Sequence, residues 1–131
     1  MQNSAKALRR AERLVALSAA GCRNLPDETT VSAFVGKLRT AIGEAGATVV
    51  KDQWFSHSFP VQGLTIVMVL AESGVIIHTY PELDRGVTIN TAVCGEVDPE
   101  VVCRNIEAVF EPRERISYMG PIPLMLPAPI E

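Results

Sequence analysis

The chain has 131 residues, 47% of them hydrophobic and 21% charged, with a formal net charge of -3. That length predicts one domain with its own core, and the mild acidity excludes the basic footprint of a nucleic-acid binder. No apolar run reaches the ~18 residues of a spanning helix, and the N-terminus lacks the charged start and cleavage site of a signal peptide, so the expectation is a cytoplasmic protein with no membrane partner.

In chain order, Ala5 to Gly21 is rich in Ala, Leu, Arg and Glu, which favours a frayed or helical start. Its cluster Arg9, Arg10 and Arg13 reads as a solvated face. Asp27 to Thr30 offers several helix caps, and Val31, Phe34, Val35, Leu38, Ile42 and Ala45 then recur at helical spacing up to Gly46. Ala47 to Val50 begins a strand, and Lys51 to Gly63 reads as an irregular connection carrying Trp54, Phe55, His57 and Phe59. Two β-branched apolar runs, Leu64 to Ala71 and Val75 to Thr79, are separated by Glu72-Ser73-Gly74, which predicts two buried strands with a tight reversal between them. A loop at Leu83 to Gly86 precedes an alternating strand from Val87 to Cys94.

Asp98-Pro99 is a cap followed by a first-turn proline, and Val102, Ile106, Val109 and Phe110 make a second helical stripe that ends before Pro112. Glu114 to Met119 reads as a short strand, and the proline-rich tail from Gly120 should be extended. The order is read as β-α-β-β-β-α-β, an α+β two-layer sandwich whose antiparallel sheet carries its helices on one face. The apolar excess fits either a well-packed core or a subunit that buries a face against a partner. Three cysteines, Cys22, Cys94 and Cys103, form no CxxC pair, and two histidines cannot build a His-rich cage. Free thiols in a reducing compartment, with no metal and no disulfide, are therefore expected.

Taken alone, Glu72-Ser73-Gly74 is an ordinary turn, His78 a satisfied core residue and Cys94 a small hydrophobe at a strand end. The ordered set changes that reading. Glu72, Ser73, Ile77, His78, Thr79, Pro81, Glu82, Cys94 and Gly95 follow in sequence the pattern Glu-Ser-His-x-x-Ile-His-Thr-Trp-Pro-Glu and then a strand ending in Cys-Gly. This resembles the processing region of the prokaryotic S-adenosylmethionine decarboxylase proenzymes, with weaker similarity from Gly46 to Pro99 overall.

The resemblance implies a chain that cuts itself between Glu72 and Ser73 into residues 1–72 and 73–131 and converts Ser73 into a pyruvoyl group, needing neither pyridoxal phosphate nor metal. It implies His78 as the base that removes the serine α-proton, Thr65 as a hydroxyl that supports the attack, and Cys94 as the donor that reprotonates the substrate after decarboxylation. The pyruvoyl ketone would form a Schiff base with the substrate amine, as pyridoxal phosphate does. Phe59 would stack on adenine and Glu82 would bind the ribose. It further implies a strand from about Arg13, a homodimer or higher homo-oligomer with shared sites, and a role in polyamine biosynthesis.

Several positions depart from the pattern: Gly74 replaces His, Tyr80 replaces Trp, Asn90 stands where Asp is common, the Glu82 to Cys94 spacing is one residue longer, and a Gly-Arg-His start is missing. They put the substrate in question, with S-adenosylmethionine kept ahead because Phe59 and Glu82 are both present. Branches of the family act on L-ornithine or L-arginine, for which Asp84 is the candidate carboxylate. An uncleaved, non-catalytic partner subunit is the reading from another class.

Overall fold

The computed structural model describes residues 7–58 and 62–129. Within them the chain forms β1 (Leu8–Ala20), α1 (Val31–Glu44), β2 (Val49–His57), β3 (Gly63–Leu70), β4 (Ser73–Tyr80), β5 (Gly86–Val93), α2 (Pro99–Phe110) and β6 (Glu114–Pro127). The strands make one antiparallel sheet in the order β2-β3-β4-β5-β1-β6.

Period-2 alternation decides which face is dry. Val15 and Leu17 of β1, Ile66 and Met68 of β3, Val75 and Ile77 of β4, and Ile89 and Val93 of β5 are buried in one core with the apolar stripes of both helices. The rings of Phe34 and Phe110 meet there with centroids 4.8 Å apart. The Asp98 side chain accepts the Glu100 N–H at 2.9 Å and caps α2, Pro99 fills the first turn, and Glu111 stops the helix at φ 49. Asn105 Nδ2 donates to the Ala41 carbonyl at 3.0 Å, tying the two helices together. The expected α+β sandwich is the observed architecture, and α1 and α2 lie where the apolar spacing puts them.

Four strands separate the helices, at the four runs read as strands from Ala47, Leu64, Val75 and Val87, although the order β-α-β-β-β-α-β counts three of them. The strand begun at Ala47 to Val50 runs on to His57, so most of the segment read as irregular is an edge strand. Its polar residues Lys51, Asp52 and Gln53 hid the alternation that places Asp52 and Trp54 opposite Met68 and Ile66. The N-terminal segment also differs: residues 8–13 are strand, not helix, and pair with residues 123–127 of the tail. Helix propensity loses here because a long partner strand is available. The tail is extended as expected, but it is a full edge strand rather than a free end, with Gly120 at φ 107 passing so close to Leu14 that a Cβ would lie 2.3 Å from its carbonyl oxygen.

The helix-facing side is saturated with contacts; the other side is not. Val69 (43%), Ile76 (44%), Met119 (59%) and Ile122 (41%) are exposed on the open face, where they line one apolar groove. No helix among the described residues is long and apolar enough to cross a membrane.

Truncating a fully buried ring should cost far more than removing a cap. Phe110→Ala is expected to lose ~3–5 kcal/mol and Asp98→Ala ~1 kcal/mol in urea unfolding. A Phe110→Ala loss no larger than that of Asp98→Ala would contradict the core described here.

Candidate active site

The hairpin between β3 and β4 is tighter than the sequence suggested. Leu70 pairs with Ser73, so Ala71 and Glu72 alone form the turn, and Ser73 and Gly74 already belong to β4, opposite Val93 and Ala92 of β5. Closing two strands over two residues demands unusual backbone angles, and part of that demand falls on Ser73, at φ 149. A residue with a Cβ rarely adopts that conformation, and it persists only where its surroundings hold it.

Three backbone and side-chain contacts do the holding. The Glu72 carbonyl accepts the Cys94 N–H at 2.8 Å, the Ala71 N–H donates to the Thr48 carbonyl at 2.9 Å, and the Glu72 carboxylate accepts the Thr48 N–H at 2.9 Å. The carbonyl of the Glu72–Ser73 bond is thereby polarised toward attack while its side chain is anchored at the start of β2. The Ser73 hydroxyl donates to the carboxylate of Glu12 on β1. The contact spans β5, whose Val93 pairs with Ser73 on one side and with Arg13, the neighbour of Glu12, on the other.

Cys94 follows β5 and is exposed, and Gly95, at φ 74, turns the chain immediately after it. The Arg13 guanidinium donates to the carbonyls of Gly95 at 3.1 Å and Val97 at 2.6 Å. Arg13 therefore clamps the Cys94 loop to β1, in contrast to the solvated role read for the arginine cluster. The other two thiols are not available chemistry: Cys22 and Cys103 are buried, and burial pushes the Cys103 thiol up to about 11.

His78 and Thr65 face each other across β3 and β4, with Thr65 Oγ1 3.0 Å from His78 Nδ1. Burial, helped by the nearby His57, holds His78 below the usual imidazole range, so it is neutral at pH 7. It is not beside Ser73. Five residues of strand at ~3.3 Å each separate them, about 16 Å along β4. Glu82 lies still farther away, exposed in the loop after β4. Asp84, at φ 51 in the same loop, pairs with Arg113, and its carbonyl accepts the Gly21 N–H at 2.7 Å. Phe59 lies outside the described residues.

The sequence thus located Ser73, Glu72 and Cys94, which the structure brings together, and the Thr65–His78 pair, which it keeps apart from them within one chain. It missed Glu12 and Arg13. A carboxylate and a guanidinium in an Arg- and Ala-rich run carry no local signal; only the placement of β1 beside β5 gives them meaning. The Ser73 end of the sheet opens into a groove of about 590 Å³ lined by Leu14, Ala16, Val67, Val69, Gly74 and Ile76 among others, and a second hollow of about 350 Å³ holds His78, Tyr80 and Asn90. Among the described residues no group of three His, Cys, Asp or Glu could hold a metal.

Comparison with known proteins gives a consistent picture. The family model described as S-adenosylmethionine decarboxylase matches residues 13–119. A protein of Methanococcus maripaludis strain C5, named S-adenosylmethionine decarboxylase proenzyme, is 36% identical over 102 residues, covering 76% of this chain and 78% of its own. One of the same name from Symbiobacterium thermophilum is 42% identical over 71 residues, 53% of this chain and 52% of its own. The crystal structure of the adenosylmethionine decarboxylase from Aquifex aeolicus shares the fold at a TM-score of 0.66 over 94% of each chain, with 19% identity. With the family match spanning all of the sheet from Arg13 through Met119, the chain belongs to the S-adenosylmethionine decarboxylase family.

Proposed function

We propose that this chain is a self-processing proenzyme that cuts its own backbone between Glu72 and Ser73, giving residues 1–72 and 73–131, and then decarboxylates S-adenosylmethionine in polyamine biosynthesis. The observation that carries this reading is the Glu72–Ser73 bond itself: a strained Ser73 beside a carbonyl held by the Cys94 N–H at 2.8 Å. The residues fit a pyruvoyl group at position 73, since Ser73, whose α-carbon would become the ketone once the ester is eliminated and the dehydroalanine hydrolysed, lines a groove large enough for a small ligand. That ketone supplies an electron sink for the loss of carbon dioxide.

The chain's own groups divide the remaining work. Cys94, exposed and hydrogen-bonded through its backbone to the residue before the cut, is placed to deliver a proton to the substrate carbon from its thiol. Neutral His78, with Nδ1 held by Thr65, is suited to accept the α-proton of position 73. Because ~16 Å of strand divides the two within one chain, His78 acts on the Ser73 of a second copy. The apolar open face supports a homodimer, in which two sheets packed face to face bury that surface and bring each copy's His78 toward the other's Ser73. Glu82 and Phe59 then bind the adenosine portion from the same partner. Free thiols fit a cytoplasmic setting. The arginine and ornithine alternatives gain nothing from Asp84, whose carboxylate is already engaged by Arg113.

Ser73→Ala should leave one uncut, inactive chain on denaturing electrophoresis. Cys94→Ala should still cut but release carbon dioxide from S-adenosylmethionine at least ~100-fold more slowly; a fully active variant would remove Cys94 from the mechanism. Turnover of arginine or ornithine alone, measured side by side, would overturn the substrate.

The shared site makes a separate prediction. His78→Ala alone should fail to mature, yet co-expression with Ser73→Ala should yield cut His78→Ala chains, since the intact histidine comes from the other copy. Absence of that rescue would place the two groups in one chain. Because the base must be unprotonated and its pKa lies below the ordinary ~6.5, maturation should be flat above that pH and slow only below it. A rate still climbing between pH 7 and 8 would contradict this.

A further inference from the structure

We infer that Glu12 is the general base of the first processing step, taking the Ser73 hydroxyl proton as Oγ attacks the Glu72 carbonyl carbon. The inference rests on the self-processing reading above and adds a residue to it. Other nearby groups are committed elsewhere. The Glu72 carboxylate is bound by the Thr48 N–H at 2.9 Å, and the Glu72 carbonyl is held by the backbone N–H of Cys94 at 2.8 Å. The Ser73 hydroxyl points its proton at the Glu12 carboxylate. Base, nucleophile and polarised carbonyl are thus assembled within one chain, whereas removal of the α-proton awaits a second copy.

The step balances without any co-reactant. The Oγ–C bond forms and the C–N bond of the Glu72–Ser73 amide breaks. Glu12 accepts the hydroxyl proton and returns it to the departing nitrogen of Ser73, leaving an ester and a free amine. Glu12 stands on β1 beside Arg13, which clamps the Cys94 loop, so one strand positions both the base and the carbonyl's hydrogen-bond donor.

The two bases can be told apart chemically, because hydroxylamine cleaves an ester and spares an amide. Freshly made full-length chain is followed by intact mass for the wild type, Glu12→Gln, Glu12→Asp and Glu12→Ala, with thermal melting to confirm folding. Glu12→Gln should cut at least ~100-fold more slowly and stay resistant to hydroxylamine, Glu12→Asp should retain most of the rate, and added formate should accelerate Glu12→Ala in proportion to its concentration. His78→Ala should instead accumulate a hydroxylamine-sensitive bond between positions 72 and 73. A Glu12→Gln chain that cuts at the wild-type pace, or that stalls as the hydroxylamine-sensitive ester, overturns the assignment while leaving self-processing intact. A wild-type chain that never cuts overturns both.

Discussion

The hydrogen bond from the Cys94 N–H to the Glu72 carbonyl, 2.8 Å long, joins the β3–β4 turn to the end of β5. Without it the turn would be free to relax, and Ser73 could leave φ 149 for an ordinary strand conformation. A residue in so sparsely populated a region costs about 1–3 kcal/mol. Each net hydrogen bond returns about 0.5–1.5 kcal/mol, so the Cys94, Thr48 and Ala71 contacts together are of the size needed to hold the strain in place. The same bond that stabilises the distorted turn also draws electrons from the carbonyl that the Ser73 hydroxyl would attack, in the manner of an oxyanion-hole donor. Stability and reactivity at this junction therefore share one contact.

The sheet sets a second constraint. Ser73 and His78 both lie on β4, and a strand is too straight to fold two of its own residues onto one point. A catalytic unit needing both must be built from two chains. The exposed Val69, Ile76, Met119 and Ile122 supply the surface that such a pairing would bury, beside the groove that opens at Ser73. Under the proposed pairing the apolar face and the split site would have one explanation, with the hydrophobic excess divided between the packed core and the exposed face.

Much of this was legible in the sequence because it is local. The helical stripes of Val31 to Ile42 and Val102 to Phe110, the Asp98-Pro99 cap and the β-branched runs flanking Ser73 each carry their own period, and each formed where that period put it. What was not legible is what depends on distant pairing. Residues 8–13 read as helix until the tail lies beside them, Lys51 to Gln53 read as loop until Val67 and Met68 face them, and the turn shortened to Ala71-Glu72 because Ser73 has Val93 as well as Leu70 to pair with. Glu12 and Arg13 were invisible for the same reason: their roles exist only across β1 and β5.

The claim at the centre is that one backbone amide is consumed by the hydroxyl next to it. Intact-mass and N-terminal analysis of the purified wild-type protein tests it most directly. Two chains are predicted, one ending at Glu72 and the other beginning at position 73 with a ketone in place of its amine. A single species of all 131 residues, carrying an unmodified serine and yet releasing carbon dioxide from S-adenosylmethionine, would contradict it.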